Sequence, residues 1–311
     1  MVSPISSTSA QVSPSISAHR RRRRKGGAQF AHPAEEYLAE LLTFYGVAWD
    51  YEPTTFPLVN DQRGFVTTAF TPDFHLPEHK RYIEVTTMRQ PLVTRKNRKL
   101  RLLRETYPEI DVRLLYRRDI ARLTEIFAKN DAQADEVGDL VYNGRELRSG
   151  IHDMVAKLRM NPAIYQGRPI VLALGEESTV LAREVTAIPP QGFNDWDEDT
   201  LLSTPFILGG AKHVAFTQRA GRSVEGRTVI LLASRVFTGL RLNAASSWLA
   251  DQGAASVVSC ALLHRSDATI VDVDLSHVVA PAPDGPIAGF GIGSSSTLAA
   301  LDGVYRIHSR T

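Results

Sequence analysis

Two carboxylates flank a short turn in the first third of the chain. Asp73 follows Pro72 directly, and Glu84 lies within the strand-forming run Tyr82-Ile83-Glu84-Val85-Thr86. Segments rich in β-branched and aromatic residues, at 65–74 and 81–86, surround the turn at 76–79 and predict a β-hairpin. Mg²⁺ is commonly bound through one or two carboxylates and retained waters. A metal held by this pair would polarise a phosphodiester and lower the pKa of an attacking water.

A third acid can be placed on the preceding helix. Apolar residues at helical spacing predict a helix over residues 33–45, and Gly46 is its stop signal. Glu35 lies three residues before Leu38, near the edge of the apolar stripe. Glu36 projects to the opposite face. Glu35 is therefore the better candidate for the third acid.

These residues resemble the PD-(D/E)XK nuclease superfamily over roughly residues 33–118. The resemblance rests on Glu35, Pro72-Asp73, Glu84-Val85-Thr86 and the order of helices and strands. It implies a restriction-endonuclease-like α/β core and a metal-dependent phosphodiesterase, in which Asp73 and Glu84 bind Mg²⁺ or Mn²⁺. The superfamily carries a lysine two residues after the glutamate, and this chain has Thr86 there.

The helix predicted over residues 93–107 offers a replacement for that lysine. Lys96 lies in the middle of the apolar stripe, whereas the arginines at 95, 98, 101 and 104 lie off it. An ammonium directed into a core is costly unless it meets an anion. Lys96 therefore either pairs with Asp73, Glu84 or a substrate phosphate, or it snorkels past the edge of the core.

The second half of the chain alternates buried strands with helices, which predicts a parallel sheet covered on both faces. A strand at 227–232, a turn and a helix at 240–252 follow one another, and such a helix start offers backbone N–H groups to a phosphate. This half resembles the hypoxanthine–guanine phosphoribosyltransferases. The matching segments are residues 142–147, 170–174, 181–185, 226–232, 238–240, 253–257 and 289–291.

The resemblance implies a Mg²⁺-dependent transfer of phosphoribose to a purine, but the working positions differ. Where the family has two adjacent acids, this chain has Ala233 and Ser234. Phe237 stands in place of the family's general base, and Gly175-Glu176 stands in place of the Lys-Gly pair of the pyrophosphate loop. A phosphate-binding hydroxyl, a base-contacting lysine and a late metal-binding aspartate are replaced by Arg241, Arg265 and Gly293. We expect phosphoribosyl transfer to be lost. Thr238, Gly239 and Arg241 remain candidates for binding another ligand, or the loop is only a connection.

The positions of Gly, Pro and charged residues predict four parts. They are a disordered basic arm at 1–29, a nuclease-like domain at 30–118, a helical connector at 119–140 and a phosphoribosyltransferase-like domain at 141–311. The fold class is therefore two-domain α/β. Within the last part, residues 269–273 are predicted to form a strand and 194–210 an inserted loop.

Basic residues are clustered although the net charge of the 311-residue chain is only +2. One cluster runs from Arg20 to Lys25 and another covers the helix from Arg95 to Arg104. Such clusters favour a polyanion, most simply nucleic acid, although a solvated tail is the plainer interpretation of the first. The lone Cys260 excludes an intramolecular disulfide framework, and we expect a cytoplasmic protein without a membrane span.

Three functions follow from these patterns. The leading hypothesis is metal-dependent cleavage of DNA or RNA by Glu35, Asp73, Glu84 and Lys96, with the second domain as scaffold, ligand sensor or homodimer interface. The second is a non-catalytic nucleic-acid-binding or regulatory protein. The third is a surviving purine phosphoribosyltransferase.

Overall fold

The computed structural model describes residues 30–86, 90–116, 136–165, 169–188 and 196–308, and it describes the side chains of α2 only from residue 96 onward. The basic arm at 1–29, and with it Arg20 to Lys25, lies outside this range. The helices are α1 Pro33–Phe44, α2 Gln90–Thr106, α3 Gly144–Arg159, α4 Thr179–Thr186, α5 Leu240–Asp251 and α6 Ser296–Ala299. The strands are β1 Asp50–Tyr51, β2 Phe56–Asn60, β3 Val66–Phe70, β4 Phe74–Leu76, β5 Arg81–Thr86, β6 Asp111–Tyr116, β7 Glu136–Asn143, β8 Ile170–Leu174, β9 Asp197–Leu208, β10 Ala211–Gln218, β11 Thr228–Val236, β12 Ser256–His264, β13 Leu275–Pro281, β14 Ile287–Ala288 and β15 Gly303–His308.

The first sheet has the strand order β1-β4-β5-β6. β4 and β5 form the predicted antiparallel hairpin, with Phe74 opposite Ile83, and β6 runs parallel to β5. The predicted strand over 65–74 is wrong as a single element. It breaks between β3 and β4, where Pro72 lacks the N–H that a continuous ladder needs, and β3 pairs with β2 in a separate two-stranded sheet.

Helices α1 and α2 cover opposite faces of the first sheet. Leu38 and Leu42 of α1 pack with Ile83 and Val85 of β5. On the other face, residues of α2 pack with β2, β3 and β6 in a second cluster. Because side chains alternate along a strand, Glu84 points away from α1 and toward α2.

The second sheet has the order β10-β9-β8-β11-β12-β13. Strands β9, β8, β11, β12 and β13 are parallel, and β10 is an antiparallel edge. Helices α3 and α4 pack in the core cluster on one face, and α5 packs in the cluster on the other. The structure is therefore mixed α/β, and the prediction of a largely parallel sheet covered on both faces is confirmed.

Three predicted elements of the second half are wrong. Residues 197–208 form β9 rather than an inserted loop, because the Gly209-Gly210 turn, with both φ values positive, returns the chain into β10. The strand expected at 269–273 is instead β13, at Leu275–Pro281. Residues 136–140 of the expected helical connector belong to β7, which pairs with the distant β15. The rest of the connector, 119–135, lies outside the described residues.

The two halves share part of their core. Leu38 and Leu42 of α1 lie in one buried cluster with Leu240, Ile270 and Val271 of the second half. α1 therefore packs both on the first sheet and on the start of α5. Among the described residues, no helix combines the length and apolar character needed to cross a membrane.

Candidate functional site

Asp73 and Glu84 lie together at the start of the β4–β5 hairpin. The backbone N–H of Asp73 donates to Glu84 Oε2 at 3.3 Å, and the N–H of Val85 donates to Asp73 Oδ2 at 2.7 Å. Both acids are buried, with 9% and 2% of their surface exposed. The hairpin thus brings together the two carboxylates that the sequence predicted as metal ligands.

Lys96 reaches the same site from α2. Its Nζ lies 2.5 Å from Glu84 Oε1 and donates to the Val85 carbonyl at 2.8 Å. The ammonium therefore points inward and pairs with Glu84. The expectation that Lys96 meets one of the acids is confirmed, and the alternative that it snorkels into solvent is wrong.

Glu35 occupies the buried face of α1, with 6% of its surface exposed, while Glu36 is exposed. Its Oε2 accepts a hydrogen bond from the Tyr51 hydroxyl at 2.7 Å and one from the Ala31 N–H at 3.1 Å. The charge of Glu35 helps to raise the pKa of Asp73. The hydrogen bonds of Glu35 are those from Tyr51 and Ala31. The expectation that Glu35 lies nearer the apolar face than Glu36 is confirmed, but its role as a third acid stays a prediction, and its partners Tyr51 and Ala31 were not identified from the sequence.

The site holds more negative than positive charge. Burial, followed by the charge of Glu84, raises the pKa of Asp73 to about 7, against the opposing effects of the Val85 N–H and Lys96. Burial also raises the pKa of Glu84, and the bond to Lys96 pulls it back down. One ammonium thus lies beside two buried carboxyl groups, and Glu35 acts on Asp73 only through its charge.

The donor set suits Mg²⁺ bound with several waters. Among the described residues no group of three or more His, Cys, Asp or Glu could hold a metal ion, so Glu35, Asp73 and Glu84 do not form a three-carboxylate site, and only Asp73 and Glu84 are close enough together to share an ion. Thr86 lies two residues after Glu84 on the same face of β5, and its buried hydroxyl has no hydrogen-bond partner in the described part of the chain. A hydrated ion beside Glu84 would supply that partner. From the sequence, Thr86 was noted only because it stands where the superfamily has a lysine.

The outer surface of α2 is basic where its side chains are described. Arg98, Arg101 and Arg104 are exposed, and Lys99 is partly buried. Arg104 also donates to the Val112 carbonyl at 3.2 Å. The side chain of Arg95 lies outside the described residues. The same helix therefore supplies Lys96 to the interior and a row of arginines to solvent.

The predicted ligand loop of the second half packs against its own chain. Gly239 has a φ of +78°, and a Cβ there would lie 2.2 Å from the Val271 carbonyl oxygen. The carbonyl of Thr238 accepts hydrogen bonds from the N–H groups of Ile270 and Val271, at 2.9 and 3.1 Å. Thr238 and Gly239 thus hold the segment that follows β12 against the start of α5.

Arg241, the third predicted ligand residue, pairs with Glu177. The Ser234 hydroxyl donates to the Glu177 carbonyl at 2.6 Å, and Ala233 is 2% exposed. The positions that would need two metal-binding acids therefore offer a methyl group and an engaged hydroxyl. Nearby, Glu177 is neutralised by Arg241.

Arg235 is a feature that the sequence analysis missed. Its guanidinium makes no hydrogen bond or ion pair among the described residues, and its Cζ lies 5.9 Å from the centre of the Phe237 ring. Burial lowers the pKa of Arg235, with Glu177 and Arg241 as its charged neighbours. A lone arginine in the apolar strand sequence TVILLASRV was the available signal.

No protein-family profile matches the chain, and no curated protein matches it. Among solved structures, a hypoxanthine-guanine phosphoribosyltransferase from Bacillus anthracis is 18% identical with a TM-score of 0.48, over 56% of this chain and 99% of its own. A hypoxanthine phosphoribosyltransferase from Staphylococcus aureus is 17% identical with a TM-score of 0.47, over 55% and 92%. One from Trypanosoma cruzi is 16% identical with a TM-score of 0.47, over 57% and 95%.

These likenesses concern the fold over about half of the chain and do not extend to activity. The matches are phosphoribosyltransferases, so the nuclease-like interpretation of the first half rests on its own residues and their geometry.

Proposed function

We propose that the first half of the chain is a metal-dependent nuclease site formed by Glu35, Asp73, Glu84 and Lys96. The observation that supports it best is the pairing of Lys96 with Glu84 beside Asp73. A partly buried ammonium paired with one of two buried carboxyl groups, whose pKa values are raised by burial, is typical of groups that act on a phosphate together with a cation.

Asp73 and Glu84 would hold Mg²⁺ or Mn²⁺ through their carboxylate oxygens. When bound, the metal supplies Lewis acidity to a phosphodiester oxygen and lowers the pKa of a bound water. Lys96 orients Glu84 and presents positive charge where a phosphate would develop more negative charge. Glu35, held by Tyr51, adds to the negative field at Asp73 without contacting it.

Nucleic acid is the substrate class that fits the surface around this site. The exposed arginines of α2 lie on the same helix as Lys96, so phosphates bound to them are led toward Asp73 and Glu84. DNA and RNA both satisfy this chemistry, and the assay below includes both.

A direct test measures cleavage of 5′-labelled single- and double-stranded DNA and RNA with titrated Mg²⁺ or Mn²⁺. We expect metal-dependent products from the wild type and none above background from Asp73→Asn. Asp251→Asn, at the exposed end of α5, serves as the matched control and should retain activity. If the wild type and Asp73→Asn behave alike, the nuclease proposal is wrong.

A non-catalytic, nucleic-acid-binding role is the second candidate, and Thr86 at the lysine position of the superfamily favours it. The same assay separates the two, because a binding protein retains the labelled strand without cutting it. Binding that persists at every metal concentration, without product, would establish this second role.

For the second half we propose a scaffold or ligand sensor in which purine phosphoribosyl transfer is lost. The support is the absence of acids at Ala233 and Ser234 and the pairing of Glu177 with Arg241. Glu177, the anionic neighbour of Arg235, is already paired with Arg241, so the largely buried guanidinium of Arg235 favours an anionic ligand there. Formation of nucleotide from hypoxanthine and phosphoribosyl pyrophosphate would instead establish a surviving transferase.

A further inference from the structure

The hairpin β2–β3 exposes an apolar patch at its tip. Phe65 is 68% exposed, Val66 51% and Val59 41%. Isolated exposed apolar residues are common on protein surfaces, but Phe65 is an aromatic ring with about two thirds of its surface exposed at the end of a hairpin. Exposed apolar clusters of this kind mark contacts with a partner.

The turn that displays Phe65 is well ordered by hydrogen bonds. Asp61 Oδ1 accepts from the N–H groups of Arg63 and Phe65, both at 2.9 Å. The Asp61 N–H donates to the Phe65 carbonyl at 2.8 Å, and the Gly64 N–H donates to the Asp61 carbonyl at 3.0 Å. The ring is thus presented from a fixed backbone.

The hairpin is attached to the helix that carries Lys96. Lys99 Nζ donates to the Ala69 carbonyl at 2.8 Å, and the Tyr107 hydroxyl donates to the Pro57 carbonyl at 2.9 Å. Lys99 is one helical turn beyond Lys96. From Ala69 to Phe65 the strand spans four residues, about 13 Å. The exposed ring and the buried ammonium therefore belong to one packed unit.

Exposed positive charge lies on the hairpin tip and on the helix that the hairpin packs against. Arg63 is exposed at the tip, and Arg98 and Arg101 are exposed on the outer face of α2. An exposed aromatic ring on a hairpin that packs against a helix with exposed guanidinium groups suits a polyanion whose bases offer flat apolar faces.

We propose that Phe65 stacks on an unpaired base of single-stranded nucleic acid lying along α2. The inference rests on the proposed nuclease function and specifies the strand form that the site prefers. In a duplex, both faces of each base are already stacked, and inserting a ring costs a few kcal/mol per step. A single strand exposes its bases without that cost, so the Phe65 ring alone is sufficient to stack on one of them.

The test compares binding of a fluorescein-labelled 20-nucleotide single strand and its duplex by anisotropy, with full-length protein in EDTA. We expect the wild type to bind the single strand more tightly, and Phe65→Ala to weaken single-strand binding by about tenfold with little change for the duplex. Phe65→Trp should retain the affinity. Ile207→Ala, 73% exposed on the β9–β10 hairpin, is the control and should change neither.

Equal single-strand affinity for wild type and Phe65→Ala would overturn the inference, as would an equal loss for both probes. Cleavage is scored separately. A wild type that binds through Phe65 but releases no product with Mg²⁺ or Mn²⁺ contradicts only the nuclease proposal. Product formation with unchanged Phe65→Ala affinity contradicts only the stacking inference, and failure to bind either probe contradicts both.

Discussion

Glu84 is the most deeply buried acid of the candidate site, and Lys96 is its charged partner. With 2% of the Glu84 side chain and 23% of the Lys96 side chain exposed, the pair is screened less than a surface ion pair. Removing one member of such a pair is costly, because the other is left buried and unpaired. The pair therefore ties function and stability to the same two residues.

Replacing Lys96 with methionine should reduce metal-dependent cleavage by about a hundredfold or more, because the site loses its fixed positive charge. Lys212→Met, at an exposed position of β10 in the second half, is the matched control and should stay within a few-fold of wild type. Initial cleavage rates on a labelled strand measure both. A Lys96→Met enzyme of wild-type activity would exclude the proposed role.

The double variant Thr86→Lys/Lys96→Met tests whether charge or position matters. Thr86 lies on the same face of β5 as Glu84, so a lysine there would direct its ammonium toward the charge that Lys96→Met leaves unpaired. We expect part of the lost activity to return. If the double variant stays as inactive as Lys96→Met while its melting temperature matches wild type, the replacement argument is wrong.

Asp73 predicts a pH dependence of stability in the metal-free protein. Its pKa is raised from 3.8 in the unfolded chain to about 7 in the folded protein. Between pH 3.8 and about 7 the folded state holds a proton that the unfolded state has released. The contribution of Asp73 to the free energy of unfolding therefore falls as pH rises and levels off above about pH 7. Asp73→Asn removes the ionisation and keeps an acceptor for the Val85 N–H.

The stability advantage of Asp73→Asn over wild type should therefore grow from pH 5 to pH 8. Urea unfolding in EDTA at both pH values measures the difference. Asp251→Asn, exposed at the end of α5, should show no such trend. An advantage that shrinks with rising pH would show that Asp73 is not held protonated by its surroundings.

At the scale of elements, α2 and the turn before α5 matter most. Buried Leu100 and Leu103 fix α2 against the first sheet, which places Lys96 beside Glu84. Before α5, Gly239 allows the chain to pass within contact of Val271. Both elements are positioned by packing partners that are distant in sequence.

Gly239→Ala should destabilise the protein more than Gly210→Ala. Both glycines have similar positive φ values, +78° and +81°, but the alanine methyl at 239 would lie 2.2 Å from the Val271 oxygen, whereas 210 has open space. Positive φ costs each variant about 1–2 kcal/mol, and the clash adds further cost at 239 only. Urea unfolding measures both free energies, and equal losses would contradict the packing described here.

At the scale of the molecule, Arg81 links the two halves. It lies on β5, three residues before Glu84, and is 7% exposed in its side chain. Its guanidinium pairs with Asp111 at 2.5 Å and Asp272 at 2.8 Å, and it donates to the Ile270 carbonyl at 3.1 Å. The strand that carries Glu84 is therefore anchored to the segment that Thr238 and Gly239 hold.

Arg81→Met should cost about 2 kcal/mol, because several charge-assisted bonds are lost. We also expect the urea transition to become less cooperative, since these bonds join the halves. Arg101→Met removes an exposed pair with Glu105 at 3.8 Å and should stay within about 0.5 kcal/mol. A loss at Arg81 no larger than at Arg101 would mean that the contact does not stabilise the molecule.

The sequence by itself determined the two carboxylates, the choice of Glu35 over Glu36 and the inward direction of Lys96. Each follows from local periodicity, because a strand alternates its faces and a helix repeats every 3.6 residues. The largely parallel second sheet was predictable for the same reason, since its strands are continuous apolar runs.

Only the tertiary structure decided which of the acids Lys96 meets, that Tyr51 holds Glu35, and that Arg235 lacks an anionic partner among the described residues. β7 and β9 were likewise decided by pairing, one with a strand about 160 residues away and the other with β8 and β10. Such contacts join residues far apart in sequence. Local pattern cannot specify them, because the free energy of each pairing depends on the surfaces that the rest of the fold brings together.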